Sequence, residues 1–134
     1  MFEHFLDAQK PVYQTALAEL RAGQKRSHWM WFVFPQIAGL GHSPMAQRYA
    51  LSGLSEARAY LTHPVLGARL RESTQAVLAH GGKSLAAIFG APDDLKFISC
   101  MTLFHQAAPD EPLFGQALAE FAGGYADGAT LARL

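Results

Sequence analysis

Ser27-His28-Trp29-Met30-Trp31-Phe32-Val33-Phe34-Pro35-Gln36 holds both tryptophans of the chain, two residues apart, inside a six-residue apolar run. Six consecutive apolar residues suit a buried strand as well as a buried helix, and Trp, Phe and Val lean toward strands. The rest of the chain tips the balance. No second segment shows clean period-two alternation, so a strand here would lack a partner for its backbone groups. The segment reads as a buried helix, capped by Ser27 and ended by Pro35. Large aromatics bury about 150–250 Å² each, and a buried indole N–H needs an acceptor. A cluster this dense either anchors the core or floors a pocket.

Helical signals continue on both sides. Phe2, Phe5 and Leu6, then Val12, Tyr13, Ala16, Leu17 and Leu20, recur at three- and four-residue spacing. A short helix ends near Gln9 and a second runs from Pro11 to Ala22, where Gly23 stops it. Ser43-Pro44 pairs an N-cap with a first-turn proline. Ser55 starts a helix over Glu56 to Thr62, and His63-Pro64 breaks it. From Val65 to His80, Val65, Leu66, Leu70, Val77 and Leu78 face in, while Arg69, Arg71, Glu72 and Gln75 face out. Ser84 caps a turn through Phe89 that Gly90 closes. Pro92-Asp93-Asp94 opens a helix to about Gln106, Leu113 to Phe121 forms another, and Asp127 caps a last turn. The expectation is an all-α fold of about seven to nine short helices, one domain over residues 1–134.

Composition excludes several classes of protein. Half of the 134 residues are hydrophobic and 16% are charged, a globular composition rather than a disordered one. Eleven basic and eleven acidic residues give a formal net charge of zero, so the footprint of a general nucleic-acid binder is missing. The single Cys100 cannot form an internal disulfide. Phe2-Glu3-His4-Phe5-Leu6-Asp7 carries acids where a signal peptide has bases, and no apolar run approaches the about 20 residues that span a bilayer. A cytoplasmic protein with no membrane partner is expected. The six histidines show no metal-ligand spacing, so neither a metal nor another cofactor is expected.

The segment Ser27–Gln36 followed by Gly39-Leu40-Gly41 resembles the signature of the bacterial family called domain of unknown function 1810. Ala59-Tyr60-Leu61, His63-Pro64-Val65-Leu66-Gly67, Ile88-Phe89-Gly90, Asp93-Asp94-Leu95-Lys96 and Met101-Thr102-Leu103-Phe104 extend the resemblance over nearly the whole chain. It implies a compact multihelical protein without an established activity. Some members carry the label calpastatin, but nothing in these residues supports protease inhibition. Where the family usually has two serines this chain has Ser99-Cys100, which weakens any role that needs a hydroxyl at position 100.

Three groups of residues are candidates for chemistry. In the aromatic segment, Trp31 stacks on a planar ligand with Lys25 or His28 supplying polarity, or the tryptophans are simply core. The Gly39–Pro44 loop, leading into a capped helix, is an anion site or only a turn. On the helix after Pro92, Lys96, Ser99 and Cys100 share one face. That stripe lines a pocket, or Lys96 is solvated and the small residues permit close packing. Asp93 and Asp94 fit helix capping better than an acid/base pair. Cys100 and His105 fall on different helix faces and form no local nucleophile–base pair.

The leading expectation is a polar-rimmed aromatic pocket for a small anionic or nucleotide-like ligand, contacted by Lys25, His28, Trp31, Gln36, Lys96 and Ser99. Lys25 and Lys96 pair with the anion, and Gln36 and Ser99 orient its polar groups. If the protein is a catalyst, His28, Asp94, Lys96 and Ser99 are the candidates for metal-free acid/base hydrolysis or group transfer, with Asp94 fixing Lys96 or accepting a ligand hydrogen bond. The alternative is a non-enzymatic protein-interaction module whose aromatic segment is purely structural.

Overall fold

Caps and glycines set several of the helix boundaries. The computed structural model describes residues 1–134 as ten helices without a named strand. They are α1 (Glu3–Gln9), α2 (Tyr13–Ala22), α3 (Met30–Val33), α4 (Pro44–Arg48), α5 (Leu54–Thr62), α6 (Leu66–Leu78), α7 (Leu85–Phe89), α8 (Asp93–Ala107), α9 (Pro112–Ala122) and α10 (Gly128–Leu131). Ser43 and Ser84 accept from the Ala46 and Ala87 N–H groups at 3.1 Å, and Asp127 accepts from Thr130 N–H at 3.0 Å. Gly23 closes α2 at φ +78°, a conformation that L side chains rarely adopt. The all-α expectation holds, but ten helices exceed seven to nine. The surplus lies in α3, α4, α7 and α10, four- or five-residue pieces that amount to single turns.

The central helix is α8. Phe97, Cys100, Met101, Leu103 and Phe104 are buried around its circumference, with α5, α7, α9 and α10 packed against it. Inside the helix Thr102 Oγ1 donates to the Ile98 carbonyl at 2.9 Å, and it accepts from the Asp127 N–H at 2.9 Å. A hydrophobic cluster of 29 buried residues joins α8 to the aromatic segment. Phe34 meets Phe97 and Phe89 edge-on at 5.2 and 5.8 Å between ring centroids.

The aromatic segment departs from the expected long helix. Only Met30–Val33 is helical, and Ser27 does not cap it. The cause is long-range: Glu19 on α2 binds the Ser27 N–H and hydroxyl at 3.0 and 2.6 Å, tying the chain down before a helix can begin. After Pro35 the chain pairs briefly with residue 51. Leu51 N–H donates to the Gln36 carbonyl at 2.9 Å and Ala38 N–H to the Leu51 carbonyl at 2.8 Å, an isolated parallel bridge.

Smaller corrections follow the same logic. Helix α5 starts at Leu54 behind Gly53, not at a Ser55 cap. Val65 precedes α6 and is 40% exposed instead of facing in. Arg71 does not face solvent freely. Its guanidinium forks onto the Glu111 carboxylate at 2.5 and 3.2 Å and reaches the Leu61 carbonyl at 3.2 Å.

Candidate functional site

The site begins with Glu19. Its carboxylate accepts hydrogen bonds from Arg26 N–H (2.8 Å), Ser27 N–H and hydroxyl, and the Trp29 indole N–H (2.9 Å). Desolvation pushes its pKa up, but these donors outweigh burial and bring it down to about 2. Trp29 is thereby sealed in the core at 1% exposure, with its polar atom satisfied. Lys25 is fixed from the other side, since its N–H donates to the Ile88 carbonyl at 2.7 Å. Residues 25–29 are thus held between α2 and α7.

This placement aims Lys25 at the start of α8. Its ammonium lies 2.9 Å from Asp93 Oδ2, and the Lys96 ammonium lies 2.9 Å from Asp93 Oδ1. The three side chains are 8%, 18% and 20% exposed for Lys25, Asp93 and Lys96. Desolvation raises the Asp93 pKa, but the two ammoniums more than offset it and hold the carboxyl below the ordinary aspartate range. Two ammoniums against one carboxylate leave one positive charge in excess. The Lys96 ammonium also sits 3.8 Å from the centroid of the Trp31 ring, a close cation–π contact, while Lys25 is 5.1 Å from that of Trp29.

Two hollows share the Trp31–Lys96 pair as a wall. One, of about 250 Å³, is bounded by Lys25, His28, Met30, Met45 and Asp93 in addition to that pair, and it also borders Trp29, which is 1% exposed. The other, of about 230 Å³, adds Gln36, Leu40, Pro92, Ser99 and Asp127. Each is smaller than a typical ligand pocket of about 300–1,000 Å³, and side by side they reach that range. A third crevice behind Trp31, about 10 Å³, holds at most a water.

Lys25, His28, Trp31, Gln36, Lys96 and Ser99 all line one hollow or the other. Asp94 lines neither, and it does not fix Lys96. That role belongs to Asp93, which lies three residues before Lys96 on one helical face, while Asp94 Oδ1 accepts from the Leu95 N–H. Asp93 is accordingly an ion-pair bridge and not a helix cap. The His28 side chain is exposed and makes no hydrogen bond within the chain. Gln36 is positioned through its backbone bond to Leu51, leaving its side-chain amide uncommitted.

Asp127, not foreseen as a site residue, belongs to the second hollow. Its Oδ2 accepts from Thr130 N–H (3.0 Å) and hydroxyl (2.6 Å) and lies 3.2 Å from Ser99 Oγ, while Oδ1 has no partner within the chain. Its Asp-Gly sequence signals a cap; nothing local signals that the cap abuts α8 at Ser99.

The remaining candidates disperse. The Gly39–Pro44 loop spends its serine on the α4 cap, although Leu40 and Gly41 border the second hollow. The other cations near these segments are engaged locally: Arg21 lies 3.7 Å from Glu72, Arg26 reaches the Gln24 side chain at 3.3 Å, and Arg48 stacks on Tyr49. Cys100 is fully buried, which pushes its thiol pKa up and disfavours the reactive thiolate. No three His, Cys, Asp or Glu side chains gather as they would around a metal ion. No helix is long and apolar enough to cross a membrane.

Comparison with known proteins places this geometry in a lineage. The chain is 53% identical to the conserved hypothetical protein Rv1873 of Mycobacterium tuberculosis, whose crystal structure was solved at 1.38 Å. The match covers 98% of this chain and 94% of that one, with a TM-score of 0.96. No curated protein matches. The profile of the family described as "Protein of unknown function (DUF1810)" matches residues 1–134, and the chain belongs to that family.

Proposed function

We propose that the paired hollows bind a small anionic ligand carrying a flat or apolar portion, a nucleotide-like molecule being the type case. The single observation behind this reading is the Trp31–Lys96 contact, a cation stacked on a half-buried indole that serves as a wall of both hollows. An indole needed only for packing is sealed, as Trp29 is. Trp31 instead offers ring surface to both hollows, and in the one lined by Lys25 the two lysines exceed their carboxylate by one charge. Lys25 and Lys96 attract the anion, His28 contributes a ring nitrogen at the mouth, and Gln36 and Ser99 orient polar groups. A small molecule is favoured over a nucleic acid because the chain has no net positive charge to neutralise a phosphate backbone.

A thermal-shift screen against nucleotides and phosphorylated metabolites tests the reading. A ligand at one hundred times its Kd raises stability by about 2.7 kcal/mol. His28→Ala and Lys96→Ala are expected to lose that shift while remaining folded. If the whole panel leaves the melting temperature unmoved, the protein-interaction reading takes its place, with the exposed Leu95 and Met45 at the rims of the hollows as the first residues to test.

A further inference from the structure

We infer that the cleft is two-ended and takes a phosphorylated sugar, with the phosphate in the Lys25–His28 hollow and the sugar hydroxyls in the Gln36–Ser99–Asp127 hollow. This rests on the anion-binding reading above and specifies which anion. The argument is the difference between the two ends. In the first hollow two ammoniums face one carboxylate, so an added anion meets excess positive charge. In the second, Lys96 is the only cation, and it is opposed by the Asp127 carboxylate. A second phosphate at that end would meet the Asp127 carboxylate, whose Oδ1 has no partner within the chain.

The same end suits hydroxyls. A carboxylate oxygen accepts from an O–H, and the uncommitted Gln36 amide both donates and accepts, which together match a vicinal diol. Leu40, Pro92 and the Trp31 ring supply apolar wall for the sugar's C–H faces. Ser99 keeps Asp127 in place from α8, 3.2 Å from its Oδ2. Lys96 stands on the divide, where it serves the phosphate and closes the sugar end.

Isothermal titration with inorganic phosphate, D-ribose, D-ribose 5-phosphate and D-glucose 6-phosphate, at one ionic strength, tests the inference. At least one sugar phosphate is expected to bind about tenfold or more tightly than inorganic phosphate, the scale of one or two added hydrogen bonds. Gln36→Ala, which breaks no hydrogen bond in the chain, brings the sugar phosphate down to the level of phosphate and leaves phosphate itself unchanged. Asp127→Asn keeps a capping oxygen for Thr130 and also weakens the sugar phosphate selectively. Lys96→Gln weakens both ligands. Sugar phosphates that bind no better than phosphate overturn the two-ended assignment and leave anion binding standing. Ribose that binds as well as ribose 5-phosphate overturns the charge assignment. If none of the four binds, the anion-binding reading falls with it.

Discussion

Replacing Asp93 by Asn tests the ion triad on which the site is built. The substitution keeps the shape of the side chain and removes its charge. One ammonium keeps an amide oxygen as acceptor, but the other then faces an N–H₂ group at a distance set for a carboxylate oxygen, 2.9 Å in the native protein. Removing one partner of a fully buried pair costs about 3–5 kcal/mol, whereas exposed pairs are worth about 0–1 kcal/mol. The three side chains are 8–20% exposed, close to the buried limit, so the expected loss is about 2–4 kcal/mol at neutral pH. Urea unfolding followed by circular dichroism reads it as a lower midpoint at unchanged slope. The pH dependence is equally specific. The folded-state pKa of Asp93 is depressed, so its contribution is fully present above the ordinary aspartate value of about 3.9 and is lost as the pH falls through the lower folded value. The gap between wild type and Asp93→Asn therefore narrows below about pH 4. A gap smaller than about 0.5 kcal/mol at neutral pH, or one that widens in acid, refutes the reasoning.

Three further predictions concern the scaffold. Glu19→Gln removes a charge that accepts four hydrogen bonds, and a loss of about 1–3 kcal/mol is expected by denaturant unfolding; because the carboxyl is lowered to about 2, this contribution is present above the ordinary value of about 4.3 and declines as the pH falls toward 2. Gly67→Ala places a Cβ against the Leu61 carbonyl oxygen where α6 starts beside α5, so it costs about 1–3 kcal/mol or more, while Gly82→Ala meets open space and changes stability by less than about 0.5 kcal/mol. Cys100 is expected to resist a thiol-labelling reagent in the native protein and to react at a rate set by unfolding; rapid labelling of the folded protein contradicts its burial.

Much of the fold was legible because local chemistry carries it. Ser43-Pro44, Ser84, Gly23 and Asp127 each solve a helix-end problem with atoms a few residues away, and each does so where the sequence indicates. The Ser27–Gln36 stretch misled for the opposite reason. Ser27 is an acceptable cap in isolation, but Glu19 binds its N–H and hydroxyl and leaves a four-residue helix. Asp93 and Asp94 are equivalent as local helix signals. Only the arrival of Lys25 from 68 positions away makes Asp93 the bridge and leaves Asp94 outside the hollows. Asp127 escaped notice because its cap role is complete within three residues, while its place beside Ser99 depends on how α10 packs against α8. Residue types and spacing indicated which side chains to suspect; charge pairing across the fold decided what each one does.

The central claim is that Trp31 faces a binding cleft and Trp29 is scaffold. Each indole gives its own N–H signal in a two-dimensional ¹H–¹⁵N spectrum, so a titration with whichever of ribose 5-phosphate and glucose 6-phosphate binds more tightly separates them directly. The account predicts that the Trp31 indole signal shifts with saturation, together with the backbone signals of Lys96 and Ser99, while the Trp29 indole, bound to Glu19 at 2.9 Å, stays where it is. A saturating shift confined to other parts of the molecule, or a titration that moves no signal at all, contradicts it.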